Sequence, residues 1–287
     1  MTRTYRTNNE SGISLIAVAF FLIGVGLMLP PAIKLFEMQE HYSKSAETNH
    51  AISEIQESLS AFFLEHGRYP CPAPLDARYD TAEFGKEVLT DCTASDVPGT
   101  YRSLGRGGRN VRTGAVPVRT LGLDDTYISD QYGYRFIYAV TELYAVAGSL
   151  VTEDNGAIFI EDKAGNDATE VPGNIVYTLF STGNDTNGAF TANGSLAMPC
   201  DITKLSGENC DFGANATFRN SALKSMGKND YFAPKIAYST SKTILPCEDK
   251  TTGDPVKDVA FLVDTSGSME LALVGTSVLQ VCRGAHA

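Results

Sequence analysis

The sequence predicts an α+β protein: a long N-terminal helix, transmembrane at first and then a stalk, packed on an antiparallel β-sheet head that contains disulfides. Three observations predict this class. An uncharged run fills residues 13–33, an amphipathic pattern covers 52–63, and short β-rich runs between turn residues fill much of the remainder. A helix followed by a series of strands is typical of a sheet laid against that helix.

The composition is that of a globular and acidic chain. Of its 287 residues, 43% are hydrophobic and 20% are charged, close to the averages of folded domains. The net charge is −11, and no basic block stands against it. Such a chain repels phosphate backbones, so the sequence predicts no nucleic-acid partner.

The uncharged run has the length of a membrane span. Its 21 residues, 13–33, extend over roughly 30 Å as a helix, which matches one hydrocarbon core. Arg3 and Arg6 precede the run, and all the cysteines follow it. The positive-inside rule then places the residues after about position 36 outside the cytoplasm. We therefore expect a transmembrane helix segment over 13–36.

Three interpretations of this N-terminus compete. A secretory signal ends in small residues, whereas Leu29 is followed by Pro-Pro-Ala-Ile-Lys. A plain signal anchor accounts for the apolar run alone. The third interpretation is a prepilin leader over residues 1–12, cut between Gly12 and Ile13, so that the apolar helix stays in the mature protein.

An amphipathic helix is expected to follow as a stalk over 37–70. Ile52, Ile55 and Leu59 recur at steps of three and four, which places them on one helix face. Gly67 and then Pro70 predict its end. Pro30-Pro31 is expected to loosen or kink the helix earlier, because proline lacks the N–H group and clashes with the preceding turn.

The head, expected over 71–245, is predicted to be a β-structure. Its strand candidates are β-branched and aromatic runs bounded by Gly, Asn, Asp and Pro. They are Val116–Leu121, Tyr134–Val140, Ala157–Ile160 and Asn174–Phe180.

Several segments, taken in order, resemble the type IV pilin and type II secretion pseudopilin superfamily. The leader ends in Ser11-Gly12, and Ser60–Ala73 resembles the helix exit of a pseudopilin-like subgroup. Residues 114–140 are similar to a G-x-x-P…LGL turn followed by D-x-W-G-x-x-x-x-Y-x-V. Residues 175–184 resemble a strand with its S-x-G-x-N turn.

Two positions depart from that pattern. Tyr132 stands where the family usually has Trp, and Ala17 stands at the fifth mature position, where most pilins have Glu. The resemblance implies that this Glu pairs with the N-terminus of a neighbouring subunit during fibre growth. Ala17 therefore favours a minor or tip subunit, or a protein that does not polymerise.

The resemblance implies a structural subunit, minor rather than major, of a type IV pilus or type II secretion pseudopilus. It would be assembled through its N-terminal helix. The implied partners are other pilin or pseudopilin subunits, a prepilin peptidase and the bacterial inner membrane, which the chain would cross once. The head would lie in the periplasm or on a surface appendage. A membrane-anchored periplasmic protein that never polymerises is the alternative.

Six cysteines, with no C-x-x-C spacing, favour disulfides over zinc. Sequence alone leaves many pairings open. Pairing the nearest neighbours predicts Cys71–Cys92 and Cys200–Cys210, with Cys247–Cys282 left by elimination.

Candidate ligand sites in the head are sparse. The resemblance implies a Ca²⁺ site built from the turn that holds Asp185 and from the later Asp230, because Ca²⁺ prefers several oxygen ligands. The basic, glycine-rich segment Gly105–Arg109 has no helix after it, which a phosphate loop requires. A flexible loop is expected there.

The C-terminus carries a separate motif. After a linker over 246–257, residues 258–287 resemble the first strand and helix of a von Willebrand factor A-like domain. Asp264, Ser266 and Ser268 match its D-x-S-x-S loop, which implies a Mg²⁺ site. The later loops of that domain have no counterpart here. The alternative function is thus a pilus-mounted adhesin with an incomplete metal-dependent domain.

Nothing in the sequence predicts catalysis. The histidines are His41, His50, His66 and His286, and none stands in an H-E-x-x-H motif or beside a nucleophile elbow. A Ser-His-Asp arrangement is recognised by geometry, not by spacing. We therefore expect that the protein is not an enzyme.

Overall fold

The fold is described here from a computed structural model. The structure describes residues 15–88, 92–94, 97–148, 155–220, 235–240, 259–261 and 280–282. The chain divides into two compact units, Met1–Ala46 and Glu47–Ala287.

One helix, α1, runs from Leu15 to His66 over 52 residues. It continues across Pro30 and Pro31, so the expected loosening there does not end it. It stops where Gly67 adopts a φ of 65° and donates its N–H to Phe63 O at 2.8 Å. Glycine suits this position because the left-handed conformation carries no Cβ penalty there.

The predicted membrane span is wrong. Within the described residues, no helix combines the length and the apolar character needed to cross a membrane. The transmembrane part of the fold-class prediction, the segment 13–36 and the single-pass inner-membrane location are therefore corrected.

The strands of the described residues are short and follow α1. They are β1 (Tyr101–Leu104), β2 (Asn110–Ala115), β3 (Ile137–Thr141), β4 (Phe159–Glu161), β5 (Ile175–Ser181), β6 (Thr217–Arg219), β7 (Lys235–Thr240), β8 (Val259–Phe261) and β9 (Gln280–Cys282).

The main sheet has the strand order β1-β2-β3-β5-β7, and each neighbouring pair in it is antiparallel. Its central strands are buried along their whole length. A parallel pair, β4 with β6, and an antiparallel pair, β8 with β9, are separate from it.

The second half of α1 belongs to the core of the head. Ile52, Ile55 and Leu59 are buried in the same apolar cluster as residues of β2, β3 and β5. The predicted face of the amphipathic helix is the one that packs, because burying those apolar side chains removes them from water.

One predicted strand is a turn. In Val116–Leu121, the N–H of Val118 bonds to Val116 O at 2.9 Å and that of Leu121 bonds to Pro117 O at 3.0 Å. Pro117 has no N–H for a sheet partner, which favours the turn. The loop expected at Gly105–Arg109 is the tight connection of the β1–β2 hairpin.

Candidate functional site at the helix–head junction

The exit of α1 is packed against an ion pair. Arg68 donates to both carboxylate oxygens of Glu87, at 2.8 and 2.9 Å. Glu87 also accepts the backbone N–H of Cys71 at 3.0 Å. The Arg68 guanidinium lies 5.3 Å from the ring centroid of Phe62, in the last turn of α1. One carboxylate thus connects the helix end to the chain that follows it.

Cys71 forms a disulfide with Cys92, as the sequence predicted. The second half of this bridge is held by Arg112 of β2, which donates to Cys92 O at 2.9 Å and to Ala94 O. Arg112 also contacts Glu142 at 3.1 Å. The bridge therefore ties the helix exit to the main sheet.

A cluster of tyrosines lies beneath the same exit. The ring centroids of Tyr69 and Tyr177 are 5.0 Å apart, and those of Tyr138 and Tyr177 are 6.1 Å apart. The hydroxyl of Tyr138 donates to Pro70 O at 3.2 Å. Burial raises the pKa of Tyr177 to about 12, so its hydroxyl stays neutral. The cluster joins the exit to β3 and β5 through uncharged, close-packed rings.

Two of the family-like motifs meet in the head. Asp130 accepts the hydroxyl of Ser181 at 2.5 Å and the backbone N–H groups of Tyr132 and Tyr134 at 2.9 and 3.0 Å. Gly183 donates its N–H to Ser181 Oγ at 2.9 Å. Burial raises the pKa of Asp130 above its usual value, and the hydrogen bonds oppose that shift. The carboxylate organises two turns and is fully occupied in doing so.

Arg135 is buried, and no ion pair within 4.0 Å joins it to a carboxylate of the described residues. Its guanidinium donates to three carbonyls, Pro74 O at 2.9 Å, Ala77 O at 2.5 Å and Ala192 O at 3.0 Å. It also lies 5.1 Å from the ring centroid of Phe84. Burial lowers its pKa to about 10. This arginine joins the segment after the helix exit to a distant turn.

The second predicted disulfide, Cys200–Cys210, is also present. Asn187, which precedes this loop in the chain, connects to it by accepting the N–H of Asp201 at 2.7 Å and donating to Asp201 O at 3.1 Å. The third expected pairing, Cys247–Cys282, lies outside the described residues because Cys247 does. Cys282 belongs to β9.

The predicted metal ligands are not brought together in the described part of the chain. Asp185 is buried and accepts the N–H of Asn187 at 3.1 Å. No group of three or more His, Cys, Asp or Glu side chains among the described residues is arranged to hold a metal ion. The Ca²⁺ site stays a prediction, as does the Mg²⁺ site. Outside the described residues lie Asp230, Asp264, Ser266 and Ser268, and likewise the processing positions Gly12 and Ile13.

His50 and His66, both in α1, contact residues of the same helix. His50 Nδ1 lies 3.7 Å from Glu54 Oε1, and His66 Nδ1 lies 3.1 Å from Phe62 O. The ring of His66 stacks on that of Phe62 at 4.0 Å. These contacts describe a helix surface and its end. They do not pair a histidine with a nucleophile.

Comparison with known protein families, with curated proteins and with solved structures gives no match. The resemblance to pilins therefore depends on the motifs quoted above. The buried contacts of Arg68, Arg112 and Arg135 were missed by sequence reasoning, because their partners are distant in the chain and no local spacing signals them.

Proposed function

We propose that this chain is a non-catalytic structural subunit of a pilin- or pseudopilin-type fibre, processed after Gly12 and assembled through α1. Its partners would be sister subunits of the same kind. Ala17, in place of the Glu of most pilins, favours a minor subunit.

The observation that carries the proposal is that the two parts of α1 differ: the second is buried in the head, and the first is apolar and exposed. In the unit Glu47–Ala287, the helix is part of the core of the head, with Ile55 and Leu59 fully buried. The junction that follows is braced by an ion pair, a disulfide and a tyrosine cluster. These contacts fix the second half of α1 to the head, as a fibre subunit requires.

In the unit Met1–Ala46, α1 presents large apolar side chains to its surroundings. Phe20 and Phe21 are 71% and 69% exposed, and Val18, Leu22 and Ile23 are exposed as well. Successive residues of a helix point to different sides, so this stretch is apolar all round. Such surface needs a partner, and parallel helices of sister subunits offer one of matching chemistry.

The proposal is tested by following the N-terminus. The full chain is produced with and without a prepilin peptidase, and the mass of the N-terminal peptide is measured. We expect a mature N-terminus at Ile13 only with the peptidase, and self-association of the processed chain in sedimentation. A cut after residue 30, or a processed chain that stays monomeric at all concentrations, would contradict the proposal.

A further inference from the structure

The outer side of the second half of α1 is acidic. Between Glu47 and His66 the helix contains four glutamates and neither Lys nor Arg. Glu54, Glu57 and Glu65 lie away from the buried side that holds Leu59. Their side chains reach solvent, and Glu65 is 79% exposed. Within this acidic stripe, Glu54–Glu65, the neighbouring ring nitrogens are those of the same helix, with His50 3.7 Å from Glu54 and His66 4.0 Å from Glu65.

The hairpin tip Gly105–Arg109 has the opposite charge. Most arginines in the described ranges contact a carboxylate: Arg68 with Glu87, Arg78 with Asp80, Arg102 and Arg112 with Glu142, Arg119 with Asp125, and Arg219 with Glu161. No such contact to a described carboxylate is found for Arg106 or Arg109. Nη1 of Arg106 is buried without a hydrogen-bond partner, which is a rare and costly state for a donor.

The tip is also held in place. Gly105 N–H bonds to Arg109 O at 2.8 Å, and Arg106 N–H bonds to Ala157 O at 3.0 Å. Arg109 Nη2 donates to Asn155 Oδ1 at 3.2 Å. A Cβ added at Gly108 would meet no atom within 4 Å, so the crest of the tip is open to an approaching chain. The fixed loop thus holds two half-buried guanidiniums in set positions, which favours pairing with carboxylates of an approaching chain.

We infer that the tip Gly105–Arg109 of one copy binds the acidic stripe Glu54–Glu65 of a second copy. Charge complementarity favours this pairing. The stripe offers several carboxylates, and the two guanidiniums of the tip have no ion pair with a described carboxylate of their own chain. The inference rests on the proposed function, which it deepens by naming the contact between subunits.

Tip and stripe are different surfaces, so the contact is heterologous and can repeat from copy to copy. An open array of subunits follows from such a contact, whereas a self-complementary patch would close as a dimer. Since the stripe reaches solvent and both arginines of the tip are only half-buried, salt can screen the contact, which should weaken as ionic strength rises.

The test measures self-association of the processed full chain by sedimentation velocity at low and high salt. One variant reverses the tip (Arg106→Glu with Arg109→Glu), and another reverses the stripe (Glu54→Lys, Glu57→Lys and Glu65→Lys). Each alone should weaken association about tenfold, because like charges then face each other. An equimolar mixture of the two should recover it, since each reversed surface meets its complement on the other variant.

The control reverses two exposed cations elsewhere, Arg78→Glu with Lys86→Glu, which changes the net charge by the same amount as the tip variant. It should associate like the parent chain, and circular dichroism establishes that all variants are folded. Equal weakening in control and tip variants, or no recovery in the mixture, would overturn the inference while leaving the proposed function intact. A parent chain that never associates would overturn both.

Discussion

A single carboxylate, that of Glu87, closes the junction between α1 and the head. It accepts two hydrogen bonds from Arg68 and one from the backbone of Cys71. The Arg68 and Glu87 side chains are only 8% and 14% exposed. Because little water reaches them, each charge depends on the other for compensation.

Replacing Glu87→Ala should therefore lower the free energy of unfolding by about 3 kcal/mol, because it leaves Arg68 buried and unpaired. Urea denaturation followed by circular dichroism measures the change. The double variant Arg68→Met with Glu87→Met should recover much of the loss. Asp80→Ala serves as control, since its pair with Arg78 is largely exposed. Equal losses in Glu87→Ala and Asp80→Ala would contradict this account.

Asp211, next to the Cys200–Cys210 bridge, gives the head a pH dependence. Burial and then the charge of Glu208 raise its pKa from 3.8 to about 6. The folded state thus holds the proton more tightly than the unfolded chain, so this group stabilises the fold below about pH 4. That contribution is lost as the pH rises through about 6.

The variant Asp211→Asn should thus lose less thermal stability than the parent chain between pH 4 and pH 7. Melting temperatures at the two pH values measure this directly. Asp162→Asn is the control, because hydrogen bonds from Asn166 lower the pKa of Asp162 and move its titration below that interval. A parent-like pH dependence in Asp211→Asn would show that another group is responsible.

Among the elements, the two disulfides close loops that lie in different parts of the head. Cys71–Cys92 joins residues 21 apart at the helix exit, and Cys200–Cys210 joins residues 10 apart in a peripheral loop. Chain entropy alone predicts about 3 kcal/mol for either bridge, with little difference between them. The first bridge differs because Arg112 and Glu87 hold its two ends.

Replacing both cysteines by serine at 71 and 92 should therefore cost more stability than the same change at 200 and 210. The reason is that the Glu87 and Arg112 contacts at the helix exit lose their common anchor. Differential scanning calorimetry of the two double variants compares the losses. Equal shifts in the midpoint would mean that loop closure alone accounts for both bridges.

The strands that the sequence predicts are those with continuous apolar runs. The runs 134–140 and 174–180 largely correspond to β3 and β5, which are buried on both sides. Strands β1 and β2 escaped prediction because their sequences, YRSL and NVRTGA, are polar. In β2 the buried residues include Arg112, whose guanidinium finds Cys92 O and Glu142 as partners only in the tertiary structure.

The candidate site was predictable only in part. The motif Ser60–Ala73 marked the helix exit, and pairing of near neighbours located Cys71–Cys92. The contact of Arg68 with Glu87 spans 19 residues of chain, and that of Asp130 with Ser181 spans 51. Neither separation along the sequence corresponds to a helix or strand period, so only the folded chain brings these groups together.

At the scale of the whole molecule, the boundary between helix and head is not where the secondary structure changes. The compact unit that contains the sheet begins at Glu47, inside α1. Ile52, Ile55 and Leu59 share one apolar cluster with the main sheet. The helix and the sheet should consequently unfold together, as one cooperative unit.

Two leucines of the same helix test this cooperativity. Leu59 is fully buried and Leu64 is 52% exposed. Leu59→Ala should lower the stability of the entire head by about 3 kcal/mol, because it leaves a cavity between helix and sheet. Leu64→Ala should change it by less than about 0.5 kcal/mol, since a partly exposed side chain leaves no cavity.

Near-ultraviolet circular dichroism of the buried tyrosines reports on the sheet, and far-ultraviolet dichroism reports mainly on α1. If Leu59→Ala lowers the far-ultraviolet midpoint and leaves the tyrosine signal at its original midpoint, the helix is an appendage and cannot position the head in a fibre.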